Sequence, residues 1–251
     1  ELDGLDLVWG NMDAALELVR RIAFRKGIGD ILAEGCLKAA QKIGRGAEEC
    51  VVHVKGLEAP MHDPRGFHGM GLAYMMSNRG ACHLQHAVLA TEQGMASWPE
   101  LFDMEDDYVG PTSEGKAMLV FNSENYGILG NSLAICHYLV DILRPETILA
   151  AFNAVTGFNL SKDELLATGM RDWTLKRGIN NLLGITSKDD VLPKRILTAL
   201  SDGAAAGSVP DMDRLKKEYY AIRGLDENGY PKPEKLDELG LSDLKQRLYN
   251  R

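Results

Sequence analysis

Apolar residues recur at helical spacing along almost the whole chain, and this periodicity limits its fold more than any other feature. "NMDAALELVRRIAFRKG" (11–27) sets Ala15, Leu18, Val19, Ile22 and Ala23 on one stripe, at i, i+3, i+4, i+7 and i+8. Asn11 suits an N-cap and Gly27 suits the position just past a helix end. "GDILAEGCLKAAQKIGRG" (29–46) repeats the pattern, with Asp30 as cap, Gly44 as stop and Cys36 expected in the core. Further helices are predicted over 111–143, broken near Gly130, and over 144–157, with Pro145 in its first turn and Gly157 at its end. "SKDELLATGMRDWTLKRGINNLLG" (161–184) opens with a capping box, Ser161 to Glu164. Helical segments over 209–224 and 232–250 close the chain. Only "CVVHVKG" (50–56) reads as a strand. The expected architecture is mainly α, with irregular multi-helix domains and at most a minor short strand.

Composition narrows the function classes. The 251 residues can bury a substantial core, and 45% hydrophobic with 25% charged residues is ordinary for a globular protein. A net charge of −8 and a pI near 5.3 argue against nucleic acid as the main partner, though not against a small anion in a local basic pocket. No apolar run reaches the roughly 20 residues of a membrane span. The chain opens "ELDGLDLVWGN", acidic, without a signal-peptide core and without an initiator methionine, so a fragment of a longer polypeptide is expected. Cys36, Cys50, Cys82 and Cys136 form no CxxC pair, which points to reduced thiols and a cytoplasmic location.

One region departs from the helical pattern. "LEAPMHDPRGFHGMGLAYMMSNRGACHLQH" (57–86) holds four of the six histidines, two prolines, Arg65 and Arg79 among several glycines. Such density of turn formers and polar groups reads as loops and short helices built around something. On a helix, Cys82 and His83 would diverge by about 100° and could not grip one ion together. For His83 a hydrogen-bonded structural histidine is the simpler reading, for Arg65 and Arg79 salt-bridge partners, and for Cys136 a buried apolar thiol. Local evidence goes no further than a mainly helical chain with a polar, glycine-rich centre.

The string "HVKGLEAPMHDPRGFHGMGLAYMMSNRGACHL" (53–84) resembles the aldehyde:ferredoxin oxidoreductase family of tungsten enzymes, whose members carry VKGLE-P-HDPR, GLAY and RGxCH in that order. "GIGDILAEG" (27–35) is similar to the helix start ahead of that block. "NSLAICHY" (131–138) is similar to the family's second pterin-binding motif, D-x-x-G-L-C, and 188–197 and 211–241 resemble its C-terminal stretch. The resemblance implies the C-terminal portion of such an enzyme, with 1–58 ending helical domain 2 and 59–251 forming helical domain 3. The N-terminal β-rich domain and the CxxCxxxC that supplies three cluster thiolates have no counterpart here.

The family's roles then fall on particular residues. Cys136 would be the fourth thiolate of a [4Fe–4S] cluster. Asn131 and Ile135 would contact a tungsten (or molybdenum) bis-pterin, and Arg79 would hold a pterin or its phosphate. His83 would be the proton donor or acceptor during oxidation of a small aldehyde, with ferredoxin as electron acceptor and a homodimer left open. The motif's usual Asp, Gly and Leu are Asn131, Ala134 and Ile135, so pterin binding is expected in altered form. Two alternatives stay open: reduction of an aromatic acyl-CoA, and a non-catalytic scaffold or subunit of the same fold. The isolated chain is expected to show no turnover, because most of the cofactor shell lies outside it.

Overall fold

The computed structural model describes residues 2–95 and 108–250, and these are 53% helical, with twelve α-helices and one two-stranded hairpin among them. The helices are α1 (Met12–Ala23), α2 (Ile28–Leu32), α3 (Cys36–Ile43), α4 (His68–Met76), α5 (Val88–Glu92), α6 (Lys116–Ser132), α7 (His137–Ile142), α8 (Pro145–Thr156), α9 (Lys162–Leu182), α10 (Met212–Arg223), α11 (Pro233–Glu238) and α12 (Ser242–Tyr249). The mainly α reading holds. Among the described residues, no helix is long and apolar enough to cross a membrane.

Local signals match where capping chemistry sets the boundary. Asn11 accepts the Ala14 N–H through its side chain at 3.1 Å and starts α1. The capping box closes in both directions between Ser161 and Glu164. Pro145 occupies the first turn of α8, and Gly157, at φ +75°, ends it.

The N-terminal segment departs from expectation in three ways. First, 29–46 is two helices, because Gly35 adopts φ +87° and restarts the chain after α2. The restart changes the phase, so Ala39 and Ala40 turn inward and Cys36 is exposed rather than in the core. The Cys36 N–H, at the head of α3, donates to Glu58 at 2.8 Å. Second, Phe24 closes α1, Gly27 precedes α2, and Asp30 lies inside α2 bonded to Arg25 at 3.1 Å rather than capping. Third, the α1 stripe remains mostly uncovered: Val19 is exposed and only Ala14 is buried. The predicted strand shrinks to β1 (His53–Val54) paired with β2 (Leu57–Glu58). Lys55 and Gly56, both at positive φ, make the two-residue turn, a geometry whose twist suits a hairpin.

The core is built around α6. Leu119 and Val120 of α6 pack with Met70, Leu72 and Met76 of α4, Trp173 of α9, and Leu215 and Tyr219 of α10. Contact is close enough that backbone meets backbone. A Cβ on Gly169 of α9 would lie 1.9 Å from the Asn125 carbonyl oxygen of α6, and one on Gly127 would lie 2.6 Å from the His86 backbone. Charge is buried at the same junction. Glu124 pairs with Arg223 at 2.9 Å and accepts the Tyr219 hydroxyl, while the Arg223 guanidinium stacks 4.2 Å from the Trp173 ring. A second buried pair, Lys116–Glu92 at 2.6 Å, leaves Glu92 free to accept the Gly69 and Met70 N–H groups that begin α4.

The α6–α9 contact yields a prediction. Alanine is the better helix former by about 1 kcal/mol, yet Gly169→Ala forces its Cβ into a carbonyl that has no room to move. The substitution is expected to destabilise the fold by about 3 kcal/mol, read from the urea midpoint at unchanged m-value.

Candidate cofactor-binding face

The segment after α4 is a folded loop, so "GACHLQH" is not a helix. Gly80, at φ +97°, is pressed against the hairpin: a Cβ there would lie 2.4 Å from the Val54 carbonyl oxygen. The Ser77 hydroxyl donates to Gln85 Oε1 at 2.9 Å and accepts the Arg79 N–H at 3.3 Å, which closes the loop on itself. Cys82 is buried, and its sulfur accepts from Arg79 Nη2 at 3.2 Å and from the Leu84 N–H at 3.4 Å. Cys82 is thus a fixed point of the loop, while the exposed Arg79 is aimed by a thiol and a hydroxyl.

Histidines gather beside it. The rings of His62 and His83 lie 5.1 Å apart, tilted by 59°. Burial pushes the partly buried His83 below the ordinary histidine range, and His62 and His137 push it the same way. His83 is therefore neutral at neutral pH and can accept a proton or give one through a single ring nitrogen. His86 is fully enclosed. Its Nε2–H donates to the Cys82 carbonyl at 3.1 Å, and burial drives its pKa down to about 3, against a partial opposing effect of that bond.

The third element of the face is the break between α6 and α7. Asn131 is exposed in the last turn of α6, with its amide nitrogen donating to the Gly127 carbonyl at 3.3 Å. Ala134 follows at φ +56°, the left-handed region that suits glycine. Ile135 turns back, donating its N–H to the Gly130 carbonyl at 2.8 Å and packing beside Ala87, Tyr126 and Val140. Cys136 is exposed at the head of α7 and not buried, so the plain-core reading of this thiol fails. Its neighbour His137 pairs with Asp141 at 3.2 Å.

A cavity of about 340 Å³ brings parts of this face together, lined by Asn78, Arg79, Gln85, Asn131, Lys176 and Asn180, with Ile179. Arg79 and Asn131, distant in sequence, share it. His83, Ile135 and Cys136 are not among its lining residues. Lys176 and Asn180, one turn apart on α9, escaped the sequence reading because each looks like a solvated polar helix residue; their i, i+4 spacing was the available signal. Larger cavities of about 650 Å³ beside Lys55 and about 670 Å³ around Trp9 contain none of the singled-out residues. Arg65 is structural: it pairs with Asp63 at 2.6 Å and donates to the Thr198 carbonyl at 2.9 Å. Among the described residues no three His, Cys, Asp or Glu side chains converge on a metal position.

The buried His86 predicts a pH dependence. Unfolding releases an imidazole whose ordinary pKa is about 6.5, while the folded one protonates only near 3. The unfolded state therefore binds the extra proton as pH falls below about 6.5, and stability is lost progressively toward the folded value. The slope reaches about 1.4 kcal/mol per pH unit for one such group. Between pH 6.5 and 4.5, His86→Gln is expected to flatten the stability profile, measured by urea unfolding at each pH.

Known proteins with similar sequences identify the family. The profile of the family described as "Aldehyde ferredoxin oxidoreductase, domains 2 & 3" matches residues 1–241. Tungsten-containing aldehyde ferredoxin oxidoreductases of Thermococcus kodakarensis and Pyrococcus furiosus are each 32% identical over 238 residues, covering 94% of this chain and 38% of the relative. The aliphatic sulfonate oxidoreductase WOR-like subunit of Pyrococcus furiosus is 31% identical over 263 residues, 98% of this chain and 37% of the relative. The active-site complex BamBC of benzoyl coenzyme A reductase superposes with a TM-score of 0.73 at 21% identity, covering 99% of this chain and 42% of that one. The chain thus spans well under half the length of the proteins it matches. By the family match and by identity over nearly its whole length, the chain belongs to the aldehyde ferredoxin oxidoreductase family and corresponds to its domains 2 and 3.

Proposed function

We propose that this chain is the C-terminal part of a tungsten (or molybdenum) bis-pterin oxidoreductase that oxidises small aldehydes to carboxylic acids. Electrons would leave through a [4Fe–4S] cluster to ferredoxin, in the cytoplasm. The observation that supports this most is the 32% identity, over 94% of the chain, to relatives named tungsten-containing aldehyde ferredoxin oxidoreductase. In this reading residues 1–58 complete domain 2 and 59–251 form domain 3.

The residues on the face fit such a group. Cys136 is an exposed thiol at a chain break, suited to serve as one of four cluster thiolates whose other three come from elsewhere. Arg79 offers a fork of donors for a pterin phosphate. Asn131 offers an amide oxygen for pterin N–H groups, in place of the carboxylate usual at this motif position. Ile135 gives the turn an apolar side. The left-handed Ala134 keeps the motif's backbone path without its usual glycine. When bound, the metal–pterin group supplies the two-electron redox chemistry and the cluster supplies the exit for single electrons. His83, neutral at neutral pH, takes up the proton released as the aldehyde carbon gains its oxygen.

Two measurements test the proposal on the full gene product, purified without oxygen. Cys136→Ser is expected to lose iron relative to the parent protein by plasma mass spectrometry; a folded, metal-free parent would support the scaffold reading instead. His83→Ala is expected to lower kcat with aldehydes by about 10²–10⁴-fold, the usual range for losing a general acid or base, with metal content unchanged. Turnover by the isolated 251-residue chain would overturn the assignment of the cofactor shell to other parts of the protein.

A further inference from the structure

The cavity that joins Arg79 to Asn131 has a second wall, and its chemistry is more particular than a phosphate needs. That wall is α9, held against the 77–87 loop by two bonds: Asn180 Nδ2 donates to the Asn78 carbonyl at 2.8 Å, and Asn78 Nδ2 donates to the Trp173 carbonyl at 3.2 Å. Lys176 reaches the cavity one turn before Asn180 and is steadied by Asp172 at 3.1 Å, which also accepts the Ser132 hydroxyl from the end of α6. Two cations and no carboxylate line the cavity among the described residues, so it favours an anion.

The amides sort into donors and acceptors. Asn78, Asn131 and Asn180 each give one side-chain N–H to a backbone carbonyl, which leaves each amide its oxygen as an acceptor and a second N–H as a donor. The Asn78 oxygen is buried and has no partner among the described residues, an arrangement that costs about 1–3 kcal/mol unless something donates to it. Gln85 is the reverse: its oxygen accepts from Ser77, leaving its NH2 as a donor. Three amide oxygens beside spare amide N–H groups and two cations offer more than a bare phosphate can use, since a phosphate only accepts and would leave the oxygens unpaired. They suit a ring edge that carries both N–H and C=O groups, joined to a phosphate. The volume of about 340 Å³ lies at the lower end of small-molecule sites and admits one such ring.

We propose that Lys176 and Asn180, with Asn78, bind a phosphorylated 2-amino-4-oxo heterocycle in this cavity, Lys176 and Arg79 pairing with its phosphate and the asparagine oxygens accepting from its ring N–H groups. This rests on the pterin reading above. The same ring edge and phosphate occur in the pterin cofactor and in a guanine nucleotide appended to it, and extraction distinguishes the two.

The test uses the full gene product, purified without oxygen, with Lys176→Met, Lys176→Arg and Asn180→Ala beside it. Pterin per chain is read by fluorescence after oxidative extraction, guanine by chromatography of the same extract, and folding by thermal unfolding. The expected result is at least about a tenfold fall in retained pterin for Lys176→Met, the loss of one charge-assisted contact. Lys176→Arg recovers most of it, Asn180→Ala loses part, and all variants unfold near the parent temperature. Guanine found in equal amount with pterin assigns the cavity to the nucleotide end of the same ligand and upholds the inference. Pterin retained equally by the parent and by Lys176→Met overturns it, while the pterin reading stands. A parent that holds no pterin overturns the pterin reading itself, and this inference with it.

Discussion

The arrangement depends on one missing side chain. Gly169 lets α9 come down onto the Asn125 carbonyl of α6, and no other residue could stand there without moving one helix. From that crossing α9 runs on for about two turns to Lys176 and about three to Asn180, and α6 for about two to Asn131. Both walls of the candidate cavity are thus fixed by the same contact. Gly127, two residues beyond the crossing on α6, does the same for the loop, since it admits the His86 backbone. Small residues at two points bring three separate segments to one site.

Charge holds the register that this packing permits. Arg223 reaches from α10 to Glu124 on α6, lies over the ring of Trp173 of α9, and also donates to the side chain of Asn125 beside the crossing. Burial pushes Glu124 upward, toward its neutral form, and Arg223 with the Tyr219 hydroxyl opposes that. Such a pair adds little net stability over apolar packing of the same size, because desolvation offsets attraction. Sliding any of the three helices would leave a buried charge without its partner, and that cost is large. The pair therefore selects one arrangement among several of similar apolar burial.

The face that results separates its tasks. A thiol exposed at the head of α7, a neutral histidine held beside another, and a cavity with two cations occupy different parts of it. Each group stays usable for a physical reason. Cys82 accepts the Arg79 guanidinium through sulfur, so that no carboxylate competes for it at this bond. His83 and His86 remain uncharged because burial and neighbouring histidines disfavour a proton. The break after α6 exposes Cys136 because Ala134 accepts a left-handed backbone there, at an energetic cost of roughly 1–2 kcal/mol that a glycine would avoid.

Four helix boundaries were legible from signals within one turn, Asn11 to Ala14, Ser161 to Glu164, Pro145 at a first turn and Gly157 at an end, whereas the equally local signals at Gly27 and Asp30 misplaced the ends of α1 and α2. Motif order along 53–84 and 131–138 was enough to indicate the family and to single out Arg79, Asn131 and Cys136. Spacing alone misjudged Cys36, because the restart at Gly35 changes which side of α3 faces inward. The i, i+4 spacing of Lys176 and Asn180 gave no reason to prefer them over other polar helix residues. Their neighbours Asn78 and Arg79 lie far away along the chain, and only the close crossing at Gly169 makes them adjacent. Capping is decided by bonds between residues three or four apart, which the order of residues specifies directly. A cavity between helices is decided by packing distance and by buried charge, which exist only once the chain has closed on itself.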